Sequence, residues 1–141
     1  MRDGKLPPND PTLGSVGTQL LNDALFTCPI NRLAAWQVAA GQKVWRYEFS
    51  VPAPGSQVLA HTAELRYVFD ARPAGTSAGS WPPVQDYWAN FIKTGDPNGE
   101  GLPQWPDLAH RNAYMRFTLD GPKVDTDLRG AICRLAGSVV Q

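Results

Sequence analysis

Only two stretches of this 141-residue chain alternate apolar and polar side chains with the period of a strand, and they lie far apart. In VWRYEFSV, residues 44–51, Trp45, Tyr47 and Phe49 alternate with Arg46, Glu48 and Ser50. In AYMRFTLD, residues 113–120, Tyr114, Arg116 and Thr118 alternate with Met115, Phe117 and Leu119, and Asp120-Gly121 closes the run. Successive strand side chains point to opposite faces, so the first stretch puts three aromatics on its core side. Two strands do not make a stable sheet; three or more are needed. The chain therefore reads as an α/β unit with few strands packed with helices. Its sheet is expected to be completed by self-association, as a homo-oligomer, or by a partner. The sequence looks incomplete.

The other periodic segments are helical. Leu20, Leu21, Ala24 and Leu25 share one face of a helix expected from about Gly17 to Phe26. Pro29 suits the first turn of a second helix carrying Leu33, Trp36 and Ala40, with Gly41 as its stop. The strongest pattern is Val84, Tyr87, Trp88, Phe91 and Ile92, preceded by Pro82 and Pro83 and ended by the turn signal GDPNG. A last helix with Leu128, Ala131, Ile132 and Leu135 has Asp127 placed to cap it. Thr62–Phe69 is a short segment with Leu65, Val68 and Phe69 apolar, and LPQWPDL is extended. Residues 1–16 read as an irregular arm and 17–141 as one domain.

Composition removes several function classes. Thirteen basic and thirteen acidic residues cancel, and no Lys/Arg cluster occurs, so neither nucleic acid nor an anionic membrane surface has electrostatic support. No apolar run approaches the roughly 20 residues of a membrane span. MRDGKLPPNDP lacks the apolar region of a signal peptide. Two Cys and two His are too few and too scattered for a structural zinc site. Cys28 and Cys133 are either two buried thiols or a bridge. A bridge would close a loop of about 100 residues, removing roughly 4–5 kcal/mol of unfolded-state entropy in the chain-entropy picture. It would also imply a secreted or periplasmic setting; unbridged, the two thiols leave localisation open.

GTSAG, residues 75–79, has the spacing of a nucleophile elbow around Ser77. An elbow needs a buried strand before the serine and a helix directly after it, so that Oγ stands exposed on a strained turn. Here ARPA precedes and SWPP follows, so the segment reads first as a Gly/Ala/Ser loop. The enzymatic reading is an improvised triad: Ser77 attacks, His61 takes its proton, and Glu64, Asp70 or Asp86 orients the imidazole. His110, in DLAHRNA, reads as a solvated loop residue.

Five segments, in order, carry a family resemblance. NDALFTCP (22–29) resembles D-x-x-F-x-C-P, and KVWRYEF (43–49) a V-Y-x-Y-x-F strand. LAHTAELRYVF (59–69) resembles G-x-x-H-x-x-E-L-x-Y-V-F, and DYWANFIKTGDPNGEGLPQWP (86–106) a Y-W-x-N-F-A-x-T-G-D-P-N run with its following W-P. RGAICRL (129–135) resembles a cysteine-bearing final helix. These are segments of the C-terminal portion of the type B carboxylesterases, the α/β-hydrolase family that includes the cholinesterases. The resemblance implies the C-terminal part of an α/β-hydrolase fold and small-molecule ester substrates; no cofactor is expected, and no Cys/His/Asp cluster has the spacing of metal ligands. It makes His61 the general base that deprotonates a serine and then protonates the leaving alcohol, a role suited to a group titrating near neutrality. It makes Glu64 a supporting residue, and matches Cys28 and Cys133 to a pair bridged in the cholinesterases. The family's own elbow and triad acid belong upstream of Asp23. The implied activity is therefore weak in isolation, or dependent on a complementing N-terminal esterase part. The alternative is a non-catalytic interaction or oligomerisation module derived from the same fold.

Overall fold

From Val16 to Ala39 the chain is helical without a break, where the sequence predicts two helices parted near Pro29. The computed structural model describes residues 7–53, 55–76 and 81–139, with backbone alone for 136–139. Within it, α1 (Val16–Asn22) and α2 (Cys28–Ala39) are joined by a π-helical turn, Asp23–Thr27. Proline has no N–H to donate and its ring crowds the carbonyl four residues back. The helix widens just ahead of Pro29, where Cys28 N–H reaches Asp23 O, and so stays helical through the proline. Ser15 caps the start, its Oγ accepting from Thr18 N–H at 3.2 Å. At the other end Gly41, at φ 80°, terminates α2 as expected.

Three strands form one sheet in the order β1 (Tyr47–Phe49), β2 (Ala113–Thr118), β3 (Gly121–Thr126). β1 runs parallel to β2 with Tyr47 opposite Met115 and Phe49 opposite Phe117. A parallel pair needs a long crossover, and here it carries α3 (Leu65–Val68) and α4 (Val84–Thr94). β2 and β3 are an antiparallel hairpin with Met115 opposite Val124. Gly121, at φ 102°, supplies the positive φ that ends its turn. β3 is the strand that periodicity does not reveal: GPKVDT contains a proline and two charges, and four of its six residues are exposed. Such a composition is tolerated only on an edge. Leu119, expected on the apolar face of β2, lies in the turn instead and is 62% exposed.

Against the sheet packs a core of Val51, Tyr67, Val84, Tyr87, Trp105, Met115 and Phe117. The aromatic face of β1 joins it: Tyr47 and Phe49 meet Phe117 edge-on or tilted, with ring centroids 5.9 and 6.5 Å apart. Asn98 explains how the Pro-bracketed segment stays in place. Its Oδ1 accepts from Trp105 N–H at 2.7 Å and its Nδ2 donates to Trp105 O at 3.0 Å. Trp105 Nε1 in turn donates to Arg46 O at 3.1 Å, so this buried indole is satisfied.

α5 (Gly130–Val139) closes the chain and is joined to α2 by the Cys28–Cys133 disulfide, with Cα atoms 5.1 Å apart. Asp127 does not cap α5 through its side chain as expected. Its carboxylate engages Asn112 Nδ2 at 3.2 Å and Arg134 Nη1 at 3.1 Å, and its backbone carbonyl accepts from Gly130 N–H. Leu128 lies before the helix. No helix among the described residues is long and apolar enough to cross a membrane.

Candidate functional site

His61 stands in a turn on the segment that leaves β1, and its side chain is exposed. The turn is tight: Thr62 adopts φ 67°, Thr62 Oγ1 donates to His61 O at 2.5 Å, and Leu65 N–H donates to Thr62 O at 3.1 Å. Just before it, Leu59 N–H donates to Thr12 O at 3.3 Å, which ties this segment to the N-terminal residues. No hydrogen bond occupies the His61 imidazole among the described residues.

His61 forms part of the wall of a cleft of about 520 Å³. Phe26 and Ile30 border it from the helical side, and Tyr47 and Phe49 from β1. The orientation of β1 gives this cleft its character. Arg46 O accepts from Met115 N–H and Ser50 N–H donates to Phe117 O, so alternate residues turn their backbone groups toward β2. Tyr47 and Phe49 therefore direct theirs to the opposite edge, which pairs with no strand among the described residues. The histidine and an open sheet edge face one space.

Two charged groups on that space are invisible to local sequence reading. Asp23, 3% exposed, receives Arg129 Nε at 2.8 and 3.0 Å and also Arg129 Nη2. Arg129 Nη1 reaches Gln19 Oε1 at 3.4 Å. Sequence marks Asp23 only as the first letter of the D-x-x-F-x-C-P pattern and Arg129 only as the first letter of RGAICRL, with nothing to pair the two. Arg46, 7% exposed, is the second. Its Nη1 donates to Asn31 Oδ1 at 2.5 Å and its Nη2 to Asn112 Oδ1 at 3.3 Å, and its guanidinium lies 5.6 Å from the Tyr114 ring centroid. Burial lowers its pKa below the usual guanidinium range.

Glu64 is half-buried at the foot of the His61 turn, and no hydrogen bond joins its carboxylate to the imidazole. Its charge is felt by Tyr47, whose phenol is pushed up first by burial and then by Glu64. Ser77 lies outside the described residues. The residues leading to it are irregular, with Thr76 N–H donating to Pro73 O at 3.2 Å and Gly75 at φ 82°. Asp70, at φ 49°, is paired with Arg72 at 2.9 Å. An accessible imidazole can carry a proton between an attacking hydroxyl and a leaving group, given a nucleophile and an orienting acceptor. Among the described residues, no group of three or more His, Cys, Asp or Glu could hold a metal ion.

The sequence profile of the carboxylesterase family matches residues 8–136. Carboxylesterase 5A of Canis lupus familiaris is 32% identical over 119 residues, covering 72% of this chain and 21% of that protein. Acylcarnitine hydrolase of Rattus norvegicus is 31% identical over 136 residues, covering 86% of this chain and 24% of that one. Among solved structures, carboxylesterase EST55 of Geobacillus stearothermophilus superposes with a TM-score of 0.70 at 28% identity, over 86% of this chain and 27% of its own. The sheet and the helices around it are thus part of an α/β-hydrolase fold. The chain belongs to the carboxylesterase family. It spans between a fifth and a quarter of the length of these two relatives.

Proposed function

We propose that this chain supplies the histidine of a carboxylic-ester hydrolase acting on small-molecule esters. His61 is its general base and acid, and the nucleophile and the orienting carboxylate come from an N-terminal esterase part. The observation that carries this reading is the position of His61: exposed, with no hydrogen bond to its imidazole among the described residues, on a cleft beside the edge of β1 that pairs with no described strand. A polypeptide completing the sheet at that edge brings its own residues to the same cleft. Glu64 supports the turn, and the half-burial of its carboxylate beside Tyr47 fits that role. The Cys28–Cys133 bridge favours an oxidising compartment. Ser77 is retained as the nucleophile of a weak intrinsic activity.

Hydrolysis of p-nitrophenyl butyrate by wild type, His61→Ala and Ser77→Ala tests the reading. The expected result is little turnover by the isolated chain, with whatever exceeds the buffer rate lost in His61→Ala. Turnover that survives His61→Ala would exclude every catalytic role proposed for that histidine. Loss in Ser77→Ala as well assigns the intrinsic nucleophile.

The second reading, an interaction or oligomerisation module, draws on the helical layer. Leu21, Leu25, Phe26, Ile30, Leu33 and Trp36 are each more than half exposed along it. A face of that kind marks a contact surface. Light scattering at rising concentration tests it: a monomer throughout, with no partner bound, counts against the module.

A further inference from the structure

Tyr47 also lines a second cavity, of about 400 Å³, with a different character. Its walls are aromatic: Trp45, Tyr47, Tyr87, Trp88, Phe91 and Trp105. The polar atoms of three of them are already engaged. Trp45 Nε1 donates to Trp105 O at 3.2 Å, Trp105 Nε1 to Arg46 O, and Tyr87 Oη to Pro103 O at 2.6 Å. These side chains therefore offer the cavity ring surface and no free donor. Trp88 and Phe91 are 39% and 48% exposed, so their rings stand at the opening. Trp45 and Phe91 meet edge to face at 5.8 Å and hold that wall in shape.

Among the described residues the one charge on the lining is Lys43, and no carboxylate shares the cavity with it. Lys43 is exposed and takes part in none of the ion pairs among the described residues. Gln37 and Gln42 add amide groups on the same rim. Cavities of this size, apolar within and carrying a few polar groups at the mouth, are the usual form of small-molecule sites.

We propose that this cavity binds a small carboxylate with an aromatic or long apolar body. The ring packs against Trp88 and Phe91 and the carboxylate pairs with Lys43. Charge complementarity selects the class: a cation with no anion beside it, on the lip of an aromatic slot, favours an anionic amphiphile over a neutral or cationic one. The inference makes no use of His61, so it stands or falls separately from the esterase reading.

Titration calorimetry with 2-naphthoate and its uncharged analogue 2-naphthol tests it on the intact chain. Wild type should bind 2-naphthoate with a Kd on the order of 0.1–1 mM, as expected for a ligand of this size. 2-Naphthol should bind about threefold more weakly, a difference typical of one exposed ion pair. Lys43→Gln should remove that difference, as should 0.5 M salt (about five times 0.1 M), by screening. Trp88→Ala should weaken both ligands about tenfold through lost ring contact. Both side chains are exposed, and an unchanged denaturation midpoint confirms that each variant folds. If Trp88→Ala lowers the midpoint, Phe91→Leu replaces it, with a loss of about threefold for both ligands. Absence of binding at 5 mM (about fivefold above the weakest Kd expected) overturns the proposal. So does 2-naphthol binding as tightly as 2-naphthoate, or affinity indifferent to the aromatic substitutions. Binding seen only with aromatic peptides would assign the cavity to a protein partner instead.

Discussion

Around the sheet, Val84, Tyr87, Met115 and Phe117 are fully withdrawn from solvent, whereas along Val16–Ala39 six large apolar side chains stand more than half exposed. The two regions are stabilised by different means. The sheet side has a closed aromatic core, with ring contacts running from Phe49 through Phe117 and Trp105 to Tyr87. The helical side buries little of its own apolar surface. It is held to the remainder by cross-links: the disulfide to α5, the Asp23–Arg129 ion pair, and Asn31, which donates to Leu128 O at 2.9 Å and accepts from Arg46. The contrast separates a part with a closed core from one whose apolar side chains stand open to solvent. It also fits a chain that spans 21% of a relative's length.

The largest effect expected from breaking this arrangement is loss of the bridge. With cysteines 105 residues apart, a Cys28→Ala/Cys133→Ala variant should lose about 4 kcal/mol in chemical denaturation. Hydrogen exchange should show α2 amides losing protection ahead of β2; equal loss in both would contradict the contrast. Phe117→Ala should cost about 3–4 kcal/mol by leaving a cavity in a closed core, and here β2 should lose protection first. Asp23→Asn leaves Arg129 with an uncompensated charge beside a buried site, and should cost about 3 kcal/mol. Its effect should be undiminished in 0.5 M salt (about five times 0.1 M), because buried pairs are screened much less.

The sheet side also has an alkaline limit. Burial pushes the phenols of Tyr87 and Tyr114 up to about 12, for Tyr114 with added repulsion from Glu48. Between an unfolded value of about 10 and these folded values, the unfolded state has released protons that the native state still holds. That stability is fully present below about pH 10 and is lost as pH rises toward 12. Tyr87→Phe should flatten part of the decline; an unchanged slope would show that Tyr87 is not the group responsible. The smallest effect is expected on the helical stripe. Trp36→Gln at a 60% exposed site should change stability by less than about 0.5 kcal/mol. A large loss there would mean that the stripe is packed rather than presented.

Legibility in the sequence follows the same division. β1, β2 and α4 show themselves because each puts a regular apolar set against the core: Tyr47 and Phe49, Met115 and Phe117, Val84 and Tyr87. β3 does not, because an edge strand with Pro122, Lys123 and Asp125 has no apolar face to display. The π turn is hidden for another reason. A proline at position 29 signals a helix start whether or not a helix already precedes it, and only the wider ladder before Cys28 separates the cases. Arg46 and Arg129 act across long sequence separations, 66 residues to Asn112 and 106 to Asp23, and no local pattern encodes such partners. His61 is legible as a candidate only through its flanks, LAHTAEL. Composition gives an exposed histidine in a turn no special weight. The cleft beside β1 exists only once the strand, the helical layer and the turn are brought together.

Complementation measures the central claim most directly. The intact chain is mixed with the remaining N-terminal part of a carboxylesterase, and p-nitrophenyl butyrate hydrolysis is followed for wild type and His61→Ala. The account predicts turnover well above the sum of the separate parts for wild type, and return to that sum for His61→Ala. Equal turnover from the wild-type and His61→Ala mixtures would contradict it.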